Sequence, residues 1–262
     1  MYQPLDFGNF LTKIPIVKNW ITIIIDIFIL SAIDIGFEQT SYTIQEGATQ
    51  LQVCIVIEGG ALARPVDLVI SSRDITAQAP DDYKEISYLT SYSHNDGARK
   101  CINVTAVDDD LVENTEIFQL WLTSMDEAVS LMSNQLTLTI VDNDKALLAL
   151  EQTNFTVNES IGKLKVKLKL TGQLDRNVIF SVVSDNGTAL AQSGGDYSAI
   201  SETLSFSPGN GSTISFFISI HNDQIVETQE YFSVRVESPD GAVLLEADRD
   251  TAYVFISDDD SK

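Results

Sequence analysis

Positive charge is scarce in these 262 residues: 16 lysines and arginines face 38 aspartates and glutamates, a formal net charge of −22. A phosphate backbone or an anionic membrane surface demands a basic partner, so nucleic acid fits poorly and cations or basic proteins fit better. Histidine is nearly missing. Only His94 and His221 occur, neither with a companion at ligand spacing, which argues against zinc; His221 reads as a solvent-facing strand residue. The longest mostly apolar run, residues 20–32, holds 13 residues and is broken by Asp26, whereas a membrane-spanning helix needs about 20. There is no Gly-rich phosphate loop, no Gly-x-Ser-x-Gly elbow and no Cys/His or Ser/His pairing at catalytic spacing. Paired carboxylates could serve a glycosidase, but here they recur at strand ends, and an enzyme is the poorest reading.

What is present is a chain rich in Val, Ile, Thr, Ser, Phe and Tyr, in short alternating runs without helical period, which places it in the all-β class. The clearest run is Lys163-Leu-Lys-Val-Lys-Leu-Lys-Leu170, with Leu164, Val166, Leu168 and Leu170 on one face and lysines on the other. One face is buried and one is wet, and the lysines would guard an edge strand against pairing. Further strands are expected over residues 177–183, 203–206, 213–220, 230–237 and 251–256, separated by Gly, Asn, Pro and Asp turn signals.

Residues 104–118 read Val-Thr-Ala-Val-Asp-Asp-Asp-Leu-Val-Glu-Asn-Thr-Glu-Ile-Phe, which sets four carboxylates into six residues between apolar runs. Residues 218–232 repeat the frame as Ile-Ser-Ile-His-Asn-Asp-Gln-Ile-Val-Glu-Thr-Gln-Glu-Tyr-Phe. Residues 37–46 match 150–159, Asp82-Tyr83 matches Asp196-Tyr197, and residues 138–144 match 254–260. A period of about 113 residues is the size of one sandwich domain. The chain therefore divides into modules at 34–144 and 147–260, each of about seven strands. With only Lys145 and Ala146 between them, they are expected to lie end to end. Residues 34–144 carry a net −14 and residues 145–262 a net −8, so the first module has the greater demand for cations. Carboxylates about 4 Å apart repel by about 1 kcal/mol per pair in water and several times that near a protein surface. A divalent cation would offset that cost.

Cys54 and Cys101 fall on outward positions of two alternating runs, between Val53 and Ile55 and before Ile102. The matching residues of the second module, Lys167 and Ser215, lack both cysteines together. That points to a cross-strand disulfide and an oxidising compartment; two free thiols are the alternative. Five N-glycosylation sequons, at Asn103, Asn154, Asn158, Asn186 and Asn210, agree with an extracellular site. Residues 1–33 lack the repeat pattern and are set apart from the fold, either as a signal peptide cleaved near Ala32 or as a fragment of an upstream module.

Four segments in the same order, twice over, resemble the Calx-β family: the early Tyr/Phe-x-Val/Ile-x-Glu, the central Asp-Tyr, the Asp-Asp-x-x-x-Glu-x-x-Glu-x-Phe turn and the terminal Asp-x-Asp. The resemblance implies immunoglobulin-like β-sandwiches and calcium ligands drawn from these four segments. By position the candidates are Glu46, Asp82, Asp108, Asp109, Asp110, Glu113, Asp142 and Asp144, with the carbonyl of Leu111 as a further ligand. In the second module they are Glu159, Asp196, Asp223, Glu227, Asp258, Asp259 and Asp260. Asn222 and Gln224 replace two aspartates there, so fewer or weaker ions are expected; Asn143 replaces a terminal carboxylate in the first module. Glu116 is read as solvating its loop. Calcium takes six to eight oxygens in irregular geometry and suits such a set better than magnesium or zinc. The resemblance implies a non-enzymatic calcium-binding module of adhesion, cell communication or matrix, whose partners are calcium, other extracellular proteins or further Calx-β modules. Membrane association would come only through a parent chain or partner. The alternative is an intracellular calcium sensor, as in the regulatory loop of sodium/calcium exchangers.

Overall fold

The computed structural model describes residues 33–260 apart from 60, 61, 63, 94, 95, 127, 128, 238 and 239. The 20–32 run, with the signal-peptide reading attached to it, and His94 lie outside the described residues. The period-two runs become strands. In the first module these are β1 (Asp34–Phe37), β2 (Ser41–Gln45), β3 (Leu51–Glu58), β4 (Val66–Asp74), β5 (Ser87–Tyr92), β6 (Arg99–Val104), β7 (Leu111–Val112), β8 (Glu116–Ser124), β9 (Ser130–Leu131) and β10 (Gln135–Val141). In the second they are β11 (Ala146–Leu150), β12 (Asn154–Asn158), β13 (Lys163–Thr171), β14 (Gln173–Leu174), β15 (Val178–Asn186), β16 (Ser201–Phe206), β17 (Thr213–Ser219), β18 (Glu230–Glu237), β19 (Val243–Leu245) and β20 (Thr251–Ser257).

Each repeat forms an immunoglobulin-like sandwich of two sheets. The strand orders are β6-β3-β1-β9 and β2-β10-β8-β4-β5 in the first, and β17-β13-β11-β19 and β12-β20-β18-β15-β16 in the second. Nine strands rather than about seven enter the sheets of each sandwich, because pieces as short as β9 and β19 pair without being long enough to display a period. The inward positions of the two sheets meet in one core per sandwich. Leu68, Ile70, Leu120, Leu122 and Leu138 are fully buried in the first, and Leu148, Val166, Phe180, Val182 and Val254 in the second. Each such side chain contributes roughly 1.5–3 kcal/mol relative to exposure. The chain divides into two compact units, one around each core, with residues 45–47, 108–116 and 141–144 grouped with the second. Among the described residues no helix is long and apolar enough to cross a membrane.

The lysine-bearing strand is not an edge. β13 pairs with β17 on one side and β11 on the other, so its lysines line the middle of a sheet face and have no edge to guard. Strand order is set by non-local pairing, which alternation along one strand does not encode. Cys54 and Cys101 lie directly opposite on β3 and β6 and are joined in a disulfide. Cys101 is exposed, but Cys54, expected to point outward, is buried at 1% exposure, with its sulfur bonded to that of Cys101 on the neighbouring strand.

Beneath the end where the acidic segments gather, an aromatic pair anchors each sandwich. Tyr83 stacks on Phe118 and Tyr197 on Phe232, each with ring centroids 3.8 Å apart. The Tyr83 hydroxyl donates to Asp74, and that of Tyr197 to Asn186 Oδ1. An isolated bridge joins Tyr83 to Ala106 and Tyr197 to Ile220. The aspartate preceding each tyrosine, Asp82 or Asp196, is thereby fixed at the rim of the core.

Candidate metal centre

Four parts of the chain deliver carboxylates to one end of the first sandwich. β2 hands on to Glu46 and β10 to Asp142 and Asp144, and the Glu46 N–H donates to the Val141 carbonyl at 3.2 Å, tying the two strand ends together. Glu46, Asp109 and Asp144 each bring a carboxylate oxygen within 4.8 Å of the others; Asp82, Glu113 and Glu116 do the same. Asp142 braces the loops between them, Oδ1 accepting from the Asp144 N–H at 2.8 Å and Oδ2 from the Glu113 N–H at 3.1 Å. Asp109 Oδ1 accepts from the Leu111 N–H at 2.7 Å, which bends the acidic turn back on itself. Asp108 lies over Gly47 and accepts from the Asn143 amide at 3.0 Å. A Cβ on Gly47 would come within 2.9 Å of Asp108 Oδ1, and its φ of +68° also favours glycine. Asp110 stands outside both groups, exposed, and acts on Asp144 through its charge.

The second sandwich repeats the plan with its own residues. Glu159, Asp258 and Asp260 form one group, and Asp196, Glu227 and Glu230 the other. Asp258 is the brace, accepting from the Asp260 and Glu227 N–H groups at 3.0 Å each. Asp223 Oδ1 accepts from the Ile225 N–H at 2.7 Å, and the Asp259 carboxyl acts on Glu159 by raising its pKa. Asp223 and Asp259 therefore lie beside the groups rather than in them. His221 is exposed, as expected, but lies beyond the end of β17 rather than in a strand, its ring nitrogens against the Gly195 carbonyl and Ser198 Oγ.

Glu116 is not the solvated loop residue that the sequence suggests: half-buried as the first residue of β8, it stands with Asp82 and Glu113. Glu230, at the matching start of β18, was likewise not singled out. The signal was available, since Glu-x-x-Glu recurs as Glu113/Glu116 and Glu227/Glu230. A residue that opens a strand beside a buried aromatic points along the core rim rather than into solvent.

Glu46 and Glu159, 6% and 5% exposed, are the buried charged residues of the described chain. Burial first, then the charges of Asp142, Glu113, Asp109 and Asp144, push the Glu46 carboxyl up to about 8. Burial, then the Asp259 carboxyl and the charges of Asp258 and Asp260, raise Glu159 to about 7. Burial and Asp196 raise Glu230 to about 7. Asp144, Asp260 and Glu227 are also raised, by burial and then by neighbouring carboxylates. Four buried oxygens, Glu46 Oε2, Asp144 Oδ2, Glu159 Oε1 and Asp260 Oδ2, have no hydrogen-bond partner among the described residues. They occupy matching positions in the two repeats.

A family model described as Calx-beta domain matches residues 30–144 and again 142–260. The chain belongs to the Calx-β domain family. Among the relatives of this Calx-β tandem, Sodium/calcium exchanger 1 of Rattus norvegicus is 27% identical over 223 residues, 78% of this chain and 23% of the exchanger. FRAS1-related extracellular matrix protein 2 of Homo sapiens is 24% identical over 217 residues, 79% of this chain and 7% of the matrix protein. The chain thus spans less than a quarter of the length of either relative. A crystal structure of CBD12 from CALX1.2 is 22% identical, covering 84% of this chain and 98% of that chain at a TM-score of 0.41. The apo-form Calx CBD1 domain is 28% identical, covering 45% of this chain and all of that one at a TM-score of 0.42.

The donor set of these Calx-β modules fits a hard cation. Both groups in each module offer carboxylate oxygen alone, with neither histidine nor cysteine, a set that suits irregular oxygen coordination. Leaving a buried carboxylate oxygen without a partner costs free energy that a bound cation would recover.

Proposed function

We propose that this Calx-β tandem is a non-enzymatic calcium-binding module acting in cell adhesion, cell communication or the extracellular matrix. The observation that carries the reading is the set of four buried, unpartnered carboxylate oxygens on Glu46, Asp144, Glu159 and Asp260. In the first module Glu46, Asp109 and Asp144 would hold one ion and Asp82, Glu113 and Glu116 another. Asp108, Asp110, Asp142 and the Leu111 carbonyl stand at hand to complete their shells. In the second module Glu159, Asp258 and Asp260, and Asp196, Glu227 and Glu230, would do the same with Asp223 and Asp259 beside them. Asn222 and Gln224 supply no charge, so binding there is weaker. Bound calcium neutralises the repulsion, orders the loops and stiffens the junction, because Asp144 precedes β11 by only two residues.

The Cys54–Cys101 disulfide, the sequons and the matrix-protein relative support an extracellular setting. The exchanger relative supports a second reading, an intracellular calcium sensor. Extracellular modules hold calcium at about 10⁻⁴–10⁻³ M and sensors at about 10⁻⁷–10⁻⁵ M. Mass mapping of Cys54 and Cys101 in the natural protein, with and without reductant, separates the two: a bonded pair supports the first reading and free thiols the second.

Binding restricted to the folded state adds about 1 kcal/mol per site once calcium is a few times its Kd, or several degrees of melting temperature for a domain of this size. Calorimetric melting of the chain in calcium and in chelator is the test. Equal melting temperatures, with no heat of binding in a calcium titration, would sink the proposal.

A further inference from the structure

Four of the 16 basic residues of this acidic chain stand in one row. Lys163, Lys165, Lys167 and Lys169 are exposed at alternate positions of β13, about 7 Å apart, so the row runs about 20 Å. It crosses the middle of the outer face of the β17-β13-β11-β19 sheet. Phe217, 54% exposed, faces Lys165 across the ladder, and Leu147 and Leu244, 38% and 52% exposed, lie toward the far side of the face. Among the described residues Lys167 is ion-paired, with Glu151 at 3.6 Å, and no ion pair engages Lys163, Lys165 or Lys169. The matching positions of the first module are Gln50, Gln52, Cys54 and Val56, so the fold itself does not require a basic row.

We propose that this face docks a linear sulfated polysaccharide. Cations spread over about 20 Å are all met only by a partner whose anions are also strung along a line. The acidic end of a second copy gathers its carboxylates in groups of three within 4.8 Å, and one such group would cover only part of the row. Lysines on flexible stems act as point charges and tolerate the uneven sulfate spacing of such a chain. The apolar side chains beside the row can lie against the sugar rings. Of the second module's sequons, Asn154, Asn158 and Asn186 lie on the opposite sheet, so glycans at those three leave the face clear. The choice of a polysaccharide over nucleic acid rests on the extracellular reading above.

The test is retention of the full chain on immobilised heparin across a salt series, in calcium and in chelator. The expected slope of log affinity against log salt corresponds to about four released counterions. The variant K163Q/K165Q/K167Q/K169Q should lose retention while keeping its melting temperature and its calcium-binding heat. The single variants K165Q and K169Q, which secure the result if the quadruple variant folds poorly, should each loosen binding by up to about fivefold. Unchanged retention of the variants, equal retention on desulfated heparin, tighter binding to duplex DNA, or self-association that the lysine changes abolish would each overturn the proposal. Heparin retention that follows the lysines in a chain without calcium-binding heat would sink the calcium reading alone. Loss of the reverse kind would sink this one.

Discussion

The two sandwiches share a frame and differ in the charges placed on it. Both keep the buried glutamate (Glu46, Glu159), the bracing aspartate (Asp142, Asp258), the last aspartate (Asp144, Asp260), the rim aspartate (Asp82, Asp196) and the Glu-x-x-Glu pair. The changes fall on exposed positions: Asp108 and Asp110 become Asn222 and Gln224, and Gly47, over which Asp108 packs, becomes Ser160. Asn143 becomes Asp259, and the disulfide becomes Lys167 and Ser215. Groups that share the crowding at the core rim are the same in both, while groups that tune charge from the outside vary. Scaffold and binding strength are thus set by different residues.

The largest expected effect uses the staple that only the first sandwich has. The disulfide closes a loop spanning 47 positions, and removing such a link costs about 2–4 kcal/mol. Reduction, or the variant C54A/C101S, should move one calorimetric transition down and leave the other in place. Equal displacement of both transitions, or of neither, would break the comparison.

Much of this was legible along the chain. Alternation in Lys163–Thr171 gives the buried face of β13, and the Calx-β resemblance includes Glu46, Asp109 and Asp144 among eight candidate carboxylates without grouping them. What alternation cannot carry is who pairs with whom. β13 looked like an edge because its lysines are a common edge device, yet two partners flank it. Alternation makes Cys54 an outward residue, yet its sulfur is bonded to Cys101 on β6, a neighbour 47 positions away in sequence. Glu116 looked like a loop residue because the turn was read as a charge cluster, whereas its place at the head of β8 directs it to Asp82.

The next effect separates the two buried glutamates by pH. An acid whose folded pKa is raised binds its proton more tightly in the folded state, so its favourable contribution is complete below about 4.5 and is lost as pH rises through the folded value. For Glu46 that window runs from about 4.5 to about 8, and for Glu159 to about 7. In chelator the protein should therefore melt higher at pH 5 than at pH 8, by about 2 kcal/mol of stability. Calcium should flatten or reverse the trend, since an ion requires the deprotonated form. The variant E46Q in chelator should flatten the first sandwich alone. A chelated protein that loses stability steadily on acidification across this window would refute the assignment.

The smallest effect is the sharpest test of the contrast, because it exchanges the residues that differ. D108N/D110Q in a background carrying E159Q should weaken calcium binding by the first module, and N222D/Q224D in a background carrying E46Q should strengthen it in the second. Both positions are exposed and screened, so each charge is worth about 0.5–1 kcal/mol and the pair roughly a five- to thirtyfold change in affinity. The two exchanges should not mirror each other. Asp108 owes its pose to Gly47, where a Cβ would come within 2.9 Å of its carboxylate. An aspartate at 222 would meet Ser160 instead, so the second module should gain less than the first loses. Adding S160G to N222D/Q224D should close part of that gap. If calorimetric titration finds neither a loss nor a gain, the outer charges are irrelevant and the inner carboxylates that both modules share set the affinity alone.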